Sequence, residues 1–273
     1  MTVDHRTGPF KMSYPRVRRI VAPKRAALAA TALSLALMLG ACKSVNDVTG
    51  SIGIGAPRSQ GVEGLGKRYD SDPNDRATAL AYAQSLRSAG RTQEAVAVLQ
   101  KAAARAPRDM EILGAYGKAL ADAGRYQEAA SVLQGAHTPE RPNWSVLSAQ
   151  GSVADRLGEH EQAQRYYQAA LKIAPGEPTI LSNLGLSYAL TKRLAPAEQA
   201  LRGAAEHPRA DGRVRQNLAL VLALQGKFDE AEQVQTPDVS REQAKANVAS
   251  IRRMIEQSNS WRDIQKATPA RSR

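Results

Sequence analysis

The chain offers little with which to do covalent chemistry. Cys42 is its one thiol, and His5, His137, His160 and His207 are its four imidazoles. A single Cys excludes an intrachain disulfide framework and a Cys-rich zinc site. The histidines are far apart, none at a metal-ligand spacing from another. Glu159-His160-Glu161 and the pair Asp229-Glu230 have the residue types for proton transfer. Neither stands beside a nucleophile motif. G-x-x-x-x-G-K-[ST], G-x-S-x-G and H-E-x-x-H do not occur in the sequence. The expectation is a protein without a catalytic site, metal or cofactor and without a small-molecule substrate. Cys42 stands out by position rather than company.

The residues around Cys42 give that position its meaning. Arg16, Arg18, Arg19, Lys24 and Arg25 form a basic stretch, and residues 26–41, AALAATALSLALMLGA, form an uncharged apolar run. A spanning helix needs about 20 apolar residues. A basic start, a shorter apolar core and a small-residue end instead describe a secretory signal. Leu39-Gly40-Ala41-Cys42 resembles the bacterial lipobox, whose Cys receives a diacylglyceryl group and becomes the mature N-terminus. The resemblance implies lipidation at Cys42 and a membrane anchor. Lys43 follows, where Asp would favour inner-membrane retention in enteric bacteria, so outer-membrane sorting facing the periplasm is expected. Two or three acyl chains, each buried CH₂ contributing about 0.8 kcal/mol, make release negligible.

Charge and composition describe what the anchor carries. The first 41 residues hold half of the formal net charge of +12, residues 238–273 carry eight basic against four acidic residues, and the middle is near balance. That distribution lacks the clustered bases and interleaved aromatics of a nucleic-acid surface, so no nucleic-acid partner is expected. Hydrophobic residues are 42% but aromatics only 4%, a poor composition for sheets and a good one for closely packed helices. Residues 42–73 are rich in Gly with no sustained helical period. They read as a flexible tether of roughly 30 Å reach.

Beyond the tether the sequence repeats. Gly90, Gly124, Gly158 and Gly226 fall on one 34-residue register, with Lys192 in the skipped place. Ala95, Ala129, Ala163, Ala197 and Ala231 follow each by five residues. Ala83, Gly117, Gly151, Gly185 and Ala219 precede each by seven. Ala102, Ala136, Ala170 and Ala204 continue the set. Leu99, Leu133, Tyr167, Leu201 and Gln235 share another register, and only the last is polar. Small side chains at fixed recurrence let two helices approach closely, and larger apolar ones fill the space around them. Gly at the turn accepts a left-handed backbone without a Cβ penalty. Lys192 in that conformation would be strained by about 1–2 kcal/mol. Pro107 and Pro175 end second helices.

This period and pattern resemble the tetratricopeptide repeat, two antiparallel helices per unit. The resemblance implies an all-α, right-handed superhelical solenoid of about five units beginning near Arg76, Met110, Trp144, Pro178 and Gly212. Glu159-His160-Glu161 and Asp229-Glu230 then fall in turns between paired helices, where solvated charge is ordinary. Ser240-Arg241-Glu242-Gln243 reads as a capping box, followed by the apolar stripe Ala244, Val248, Ile251 and Ile255. A terminal repeat needs such a capping helix to cover its outer face. The expected organisation is a lipoprotein signal peptide over 1–41, a tether over 42–73, the array over 74–237, a capping helix over 238–258 and a basic tail over 259–273. Trp261 is placed either back on the cap or against a partner.

Arrays of this family bind protein segments on the concave face lined by the first helices. The matching positions here include Arg87, Lys118, Asp122, Arg156, Asn183, Leu186, Arg213 and Asn217. Asn183 and Asn217 stand where an amide bonds a ligand backbone. The two-carboxylate clamp of chaperone-binding members needs Lys and Asn where Ser148 and Ser152 stand, so it is not met. The whole layout, with Pro237-Asp238-Val239-Ser240 and Ala244-Lys245-Ala246-Asn247-Val248-Ala249, looks like the tight-adherence (Flp/Tad) pilus assembly lipoproteins of alphaproteobacteria. That resemblance implies a scaffold or pilotin-like role, with the secretin channel or other pilus components as partners. A second reading keeps the anchored adaptor and moves it to outer-membrane protein insertion or control of peptidoglycan enzymes.

Overall fold

The computed structural model describes residues 58–267. The expected signal, Cys42 and the tether as far as residue 57 lie outside them, as do residues 268–273. Of Trp261 only the helical backbone is described. Among the described residues twelve helices follow one another: α1 (Arg58–Ser71), then five pairs, then α12 (Arg241–Ala267). The pairs are α2 (Arg76–Ser88) with α3 (Thr92–Arg105), α4 (Met110–Asp122) with α5 (Tyr126–Gln134), and α6 (Trp144–Arg156) with α7 (His160–Ile173). They continue with α8 (Pro178–Leu190) and α9 (Leu194–Ala205), and α10 (Gly212–Leu224) and α11 (Phe228–Gln233). Among the described residues there is no strand, only the isolated bridge between Thr138 and Arg141.

Each first helix starts on a short polar cap. Asp75, Asp109, Asn143 and Asp211, all on the 34-residue register, accept hydrogen bonds from backbone N–H groups of the first turn. Such caps are worth about 1 kcal/mol each. Glu177 occupies the fifth place without capping, ahead of Pro178. Its carboxylate instead receives Arg209 Nη2 at 2.6 Å.

Each first helix ends in the same way. The turn residue carries positive φ at Gly90, Gly124, Gly158, Lys192 and Gly226. The next N–H reaches back to the helix: Arg91 to Leu86, Arg125 to Leu120, Glu159 to Ala154, Arg193 to Tyr188, Lys227 to Leu222. This is the Schellman closure. Lys192 is held at φ 61° because its neighbours impose that closure on both sides.

Within a pair the register small residue faces the register large one. A Cβ on Gly117 would lie 2.5 Å from Leu133 Cγ, on Gly151 2.6 Å from Tyr167 Cε1, and on Gly185 2.6 Å from Leu201 Cγ. Leu86, Leu99, Leu133 and Leu201 are fully buried in these seams, each contributing about 2 kcal/mol. First helices also touch the next first helix: α2 on α4, α4 on α6, α6 on α8 and α8 on α10. Among the described residues the second helices of neighbouring pairs do not pack on each other in this way. The array therefore bends with its first helices inside, and these line the concave face.

Two expectations about the ends are corrected. The coil expected over 42–73 gives way to helix from Arg58. Shifted by one period, α1 coincides with the span of α3, so it is the second helix of a unit that lacks its first. Val62 and Tyr69 are buried against the array, and the Tyr69 and Tyr82 rings lie 5.5 Å apart. Packing of one face, not propensity, makes this Gly-rich segment helical. The cap expected to stop at 258 continues as α12 to Ala267, into the expected basic tail. Its Ala244 and Val248 are buried, and Ile251 packs on the same cluster. Ser240 Oγ accepts from Gln243 N as the capping box requires. Gln235, the one polar member of its register, is buried. It donates to Ala231 O and accepts from Asn247 Nδ2 of α12 at 2.8 Å.

Candidate functional site: the concave face

The inner face divides into a polar half and an apolar half. In the polar half a groove of about 280 Å³ runs between α2, α4 and the start of α6. Leu80, Gln84 and Arg87 line one wall, Ala115 and Lys118 the other, and Val146 lies at its end. Gly114 is small because Val146 Cγ2 would stand 3.2 Å from a Cβ there. Arg87 Nε donates to Asp122 Oδ2 at 2.6 Å and its Nη1 to Gln84 Oε1 at 3.1 Å. Lys118 Nζ donates to Ser145 Oγ at 2.8 Å. Among the described residues Lys118 has no carboxylate partner. Burial pushes its ammonium pKa down, and the Arg87 guanidinium adds to that.

The middle is a hydrogen-bonded hub. Asp155 Oδ1 receives Ser187 Oγ at 2.8 Å and sits 2.9 Å from His160 Nδ1, while Tyr167 donates its hydroxyl to Oδ2 at 3.2 Å. Burial and the Asp155 charge drive the Tyr167 phenol pKa upward. These are the residue types of a serine-hydrolase triad in the wrong order, since a nucleophilic serine must rest on the imidazole. Ser187 rests on the carboxylate and is wholly buried. The hub ties α6 to α8. Among the described residues no three metal-binding side chains cluster.

Beyond the hub, Asn183 Nδ2 donates to Ser148 Oγ at 3.5 Å and Asn217 Nδ2 to Ser182 Oγ at 3.0 Å. Leu186, Leu190, Leu220 and Leu224 occupy the next inner positions. Leu190 is 45% and Leu224 39% exposed, two of only four large hydrophobic side chains that stand open among the described residues.

The expected positions are thus partly gathered and partly engaged elsewhere. Arg87, Asp122 and Lys118 converge, Arg87 and Asp122 on each other. Asn183 and Asn217 each bond back to a serine of the preceding unit, Ser148 and Ser182. Arg156 lies over the Tyr126 ring of α5, 6.0 Å from its centre. Arg213 is an exposed rim residue paired with Asp211 at 3.1 Å. Cys42 lies outside the described residues. Ser145, Ser148 and Ser182 hold Lys118, Asn183 and Asn217, and of the three only Ser148 stands out in the sequence. Several inner contacts join residues 35 apart, one period plus one: Arg87 to Asp122, Ser148 to Asn183, Ser182 to Asn217.

The profile described as anaphase-promoting complex, cyclosome, subunit 3 matches residues 63–136, and a tetratricopeptide-repeat profile matches residues 148–212. The array is a tetratricopeptide-repeat solenoid. Its fold is that of the Cut9–Hcn1 hetero-tetramer of the APC/C, with a TM-score of 0.61 at 16% identity. The match covers 74% of this chain and 40% of that one, so this chain spans two-fifths of that relative's length. PilW, a widely conserved type IV pilus biogenesis factor, aligns at a TM-score of 0.59 and 19% identity over 68% of this chain and 89% of its own. TTC0263, a thermophilic tetratricopeptide protein of Thermus thermophilus, aligns at 0.55 and 22% over 64% and 97%. At such identities the likeness is one of fold. No curated protein sequence matches the chain. Tetratricopeptide folds are in general scaffolds that bind other proteins, and nothing positive here points to turnover.

Proposed function

We propose that the chain is a lipid-anchored scaffold of the bacterial envelope that helps assemble a Flp/Tad pilus, including its secretin channel, by gripping partner segments on the concave face. The observation that carries this reading is the inner face itself. An open groove with an ammonium lacking a counter-charge is followed, two first helices further on, by leucines exposed to solvent, and a solenoid needs neither to fold. The apolar run ending in Leu39-Gly40-Ala41-Cys42 supports the anchor, and the Gly-rich segment after it supports a working distance from the bilayer. PilW shares the fold and is itself a pilus biogenesis factor. Among the described residues no helix is long and apolar enough to cross a membrane.

The test is deletion of the gene followed by assay of secretin multimers and surface pili. Loss of both, restored by the parent chain and not by Cys42→Ala, is the expected result. Unchanged multimers and pili would remove the pilus role and leave an adaptor for another envelope process. Labelled palmitate should enter the parent chain and not Cys42→Ala. A parent that takes up no label ends the anchor.

A further inference from the structure

We propose that the concave face takes one extended partner segment of acidic–aliphatic type. An Asp or Glu of that segment sits on Lys118, and aliphatic side chains about six residues away sit on Leu186, Leu190, Leu220 and Leu224. This rests on the reading that the concave face grips protein segments, and adds what kind of segment it grips.

Four observations carry it. First, the cations of the inner face are not equivalent. Arg87 is committed to Asp122, Arg213 to Asp211, and Arg156 lies on Tyr126. Lys118 meets only a serine hydroxyl. A carboxylate entering the groove would give it the charge-assisted bond it lacks. Second, the pocket beside Lys118 pairs apolar Leu80, Ala115 and Val146 with polar Gln84 and Arg87, and its one lining carboxylate, Glu111, is taken by Arg76 at 2.6 Å, so Lys118 is left for an entering carboxylate. Third, Leu190 and Leu224 hold the same position in successive units and stand exposed, with Leu186 and Leu220 one turn earlier on the same helices. Leu186 and Leu220 hold, on two first helices that pack on each other, the same register place that Lys118 holds on α4. Fourth, Asn183 and Asn217 donate their amide N–H groups to Ser148 and Ser182. Their carbonyl oxygens are left to accept from the backbone N–H groups of an extended chain, as in strand-like recognition.

The spacing follows from the helices. Two steps between neighbouring first helices separate Lys118 on α4 from Leu186 on α8. At about 8–10 Å per step the gap is roughly 18 Å. An extended chain covers about 3.3 Å per residue, which sets the acidic and aliphatic residues about six apart.

The test uses the detergent-solubilised full chain and fluorescein-labelled peptides of roughly 12 residues, read by anisotropy. The parent peptide carries two Glu near one end and Leu-x-Leu about six residues on; companions replace Glu by Lys, or Leu by Ser. The parent peptide should bind, and each companion should bind at least about tenfold more weakly. Lys118→Glu should lose the acidic peptide by about tenfold and gain the Lys peptide. Leu190→Gln and Leu224→Gln should weaken the parent peptide at least about fivefold and lower the melt only slightly, since about two-fifths of each side chain is exposed and no charge is placed at the helix end. Rising salt should weaken the acidic peptide and not its Lys companion.

Equal binding of the Glu and Lys peptides, or full binding by Lys118→Glu, overturns the proposal. So does the absence of any peptide binding. A photo-crosslinker at Leu190 in cells reports separately on gripping. Crosslinks there without charge or leucine preference in the peptides would sink this inference and leave the concave-face reading standing. Neither crosslinks nor peptide binding would remove both.

Discussion

The seams between paired helices and the concave face are built on the same first helices and obey opposite rules. In the seams one geometry is repeated: a small residue opposite a large apolar one, Gly117 on Leu133, Gly151 on Tyr167, Gly185 on Leu201. On the inner face no position is repeated through the array. The ninth place reads Gln84, Lys118, Ser152, Leu186 and Leu220. Where the chain must stack, each unit solves the same packing problem and the residue type recurs. Where a different molecule must be met, the residue type changes along the array: the ninth place is polar in the first three units and Leu in the last two. The two surfaces should therefore respond to substitution in opposite ways.

The largest response belongs to the seam. Gly151→Leu would drive a side chain into the Tyr167 ring, which already lies 2.6 Å from a bare Cβ. The expected loss is about 3 kcal/mol, read as a lowered denaturant midpoint. Leu190→Ala on the inner face of the next first helix should stay within about 0.5 kcal/mol of the parent. Equal melts for the two would mean that the seam runs elsewhere.

The seam is also what the sequence disclosed most fully. A period of 34 with small residues at three places fixes the helix pairs, the turns and the side each helix shows its partner. It does so because tight packing tolerates few residue types. It disclosed the ends less well. In α1 the seam positions are Gly61 and Leu65, and with Gly64 and Gly66 they blur any helical period. Pro73 and Asp75 stand one period before Pro107 and Asp109 and mark the end of that helix and the cap of the next. That register extends the array by half a unit. On the inner face the sequence named the positions but not their pairings. Whether Arg87 is available or committed depends on Asp122, in the next unit, and only stacking brings the two within 2.6 Å.

Acid should loosen the contacts between units next. The Arg76 guanidinium, on the preceding unit, holds the Asp109 carboxyl down to about 2. Lys227, burial being opposed by further bonds from Gln225 and Arg202, holds Glu198 down to about 2. Both folded values lie below the ordinary carboxylate range. The stability they contribute is whole above about pH 4.5 and drains away as pH falls toward 2. Glu198→Gln should cost roughly 1 kcal/mol at neutral pH, after allowance for solvent screening, and make the acid limb shallower. A mutant whose acid melt tracks the parent's would show that Glu198 does not couple these units.

A smaller effect, of opposite sign, is expected at the fourth turn. Lys192 keeps φ 61° where the four companion turns have Gly. Lys192→Gly should relieve about 1–2 kcal/mol of strain and give back part of it through a freer unfolded chain. A net gain of about 1 kcal/mol in the melt is expected. A loss of stability would mean that the lysine side chain makes a contact worth more than its strain.

The smallest effect separates the two surfaces most sharply. In a seam, taking away a side chain costs stability because every atom there packs against another. Lys118 is the reverse case: burial disfavours its charge, Arg87 repels it, and one hydroxyl is all that receives its proton. Lys118→Met keeps the apolar stem and drops the ammonium, leaving Ser145 free to turn its hydroxyl to solvent. The fold should gain roughly 0.5 kcal/mol, while the acidic peptide loses its hold. A position whose wild-type residue lowers stability and raises affinity is kept for the ligand. If Lys118→Met instead melts lower, the ammonium belongs to the stacking of α4 on α6, and the groove must find its counter-charge in another residue.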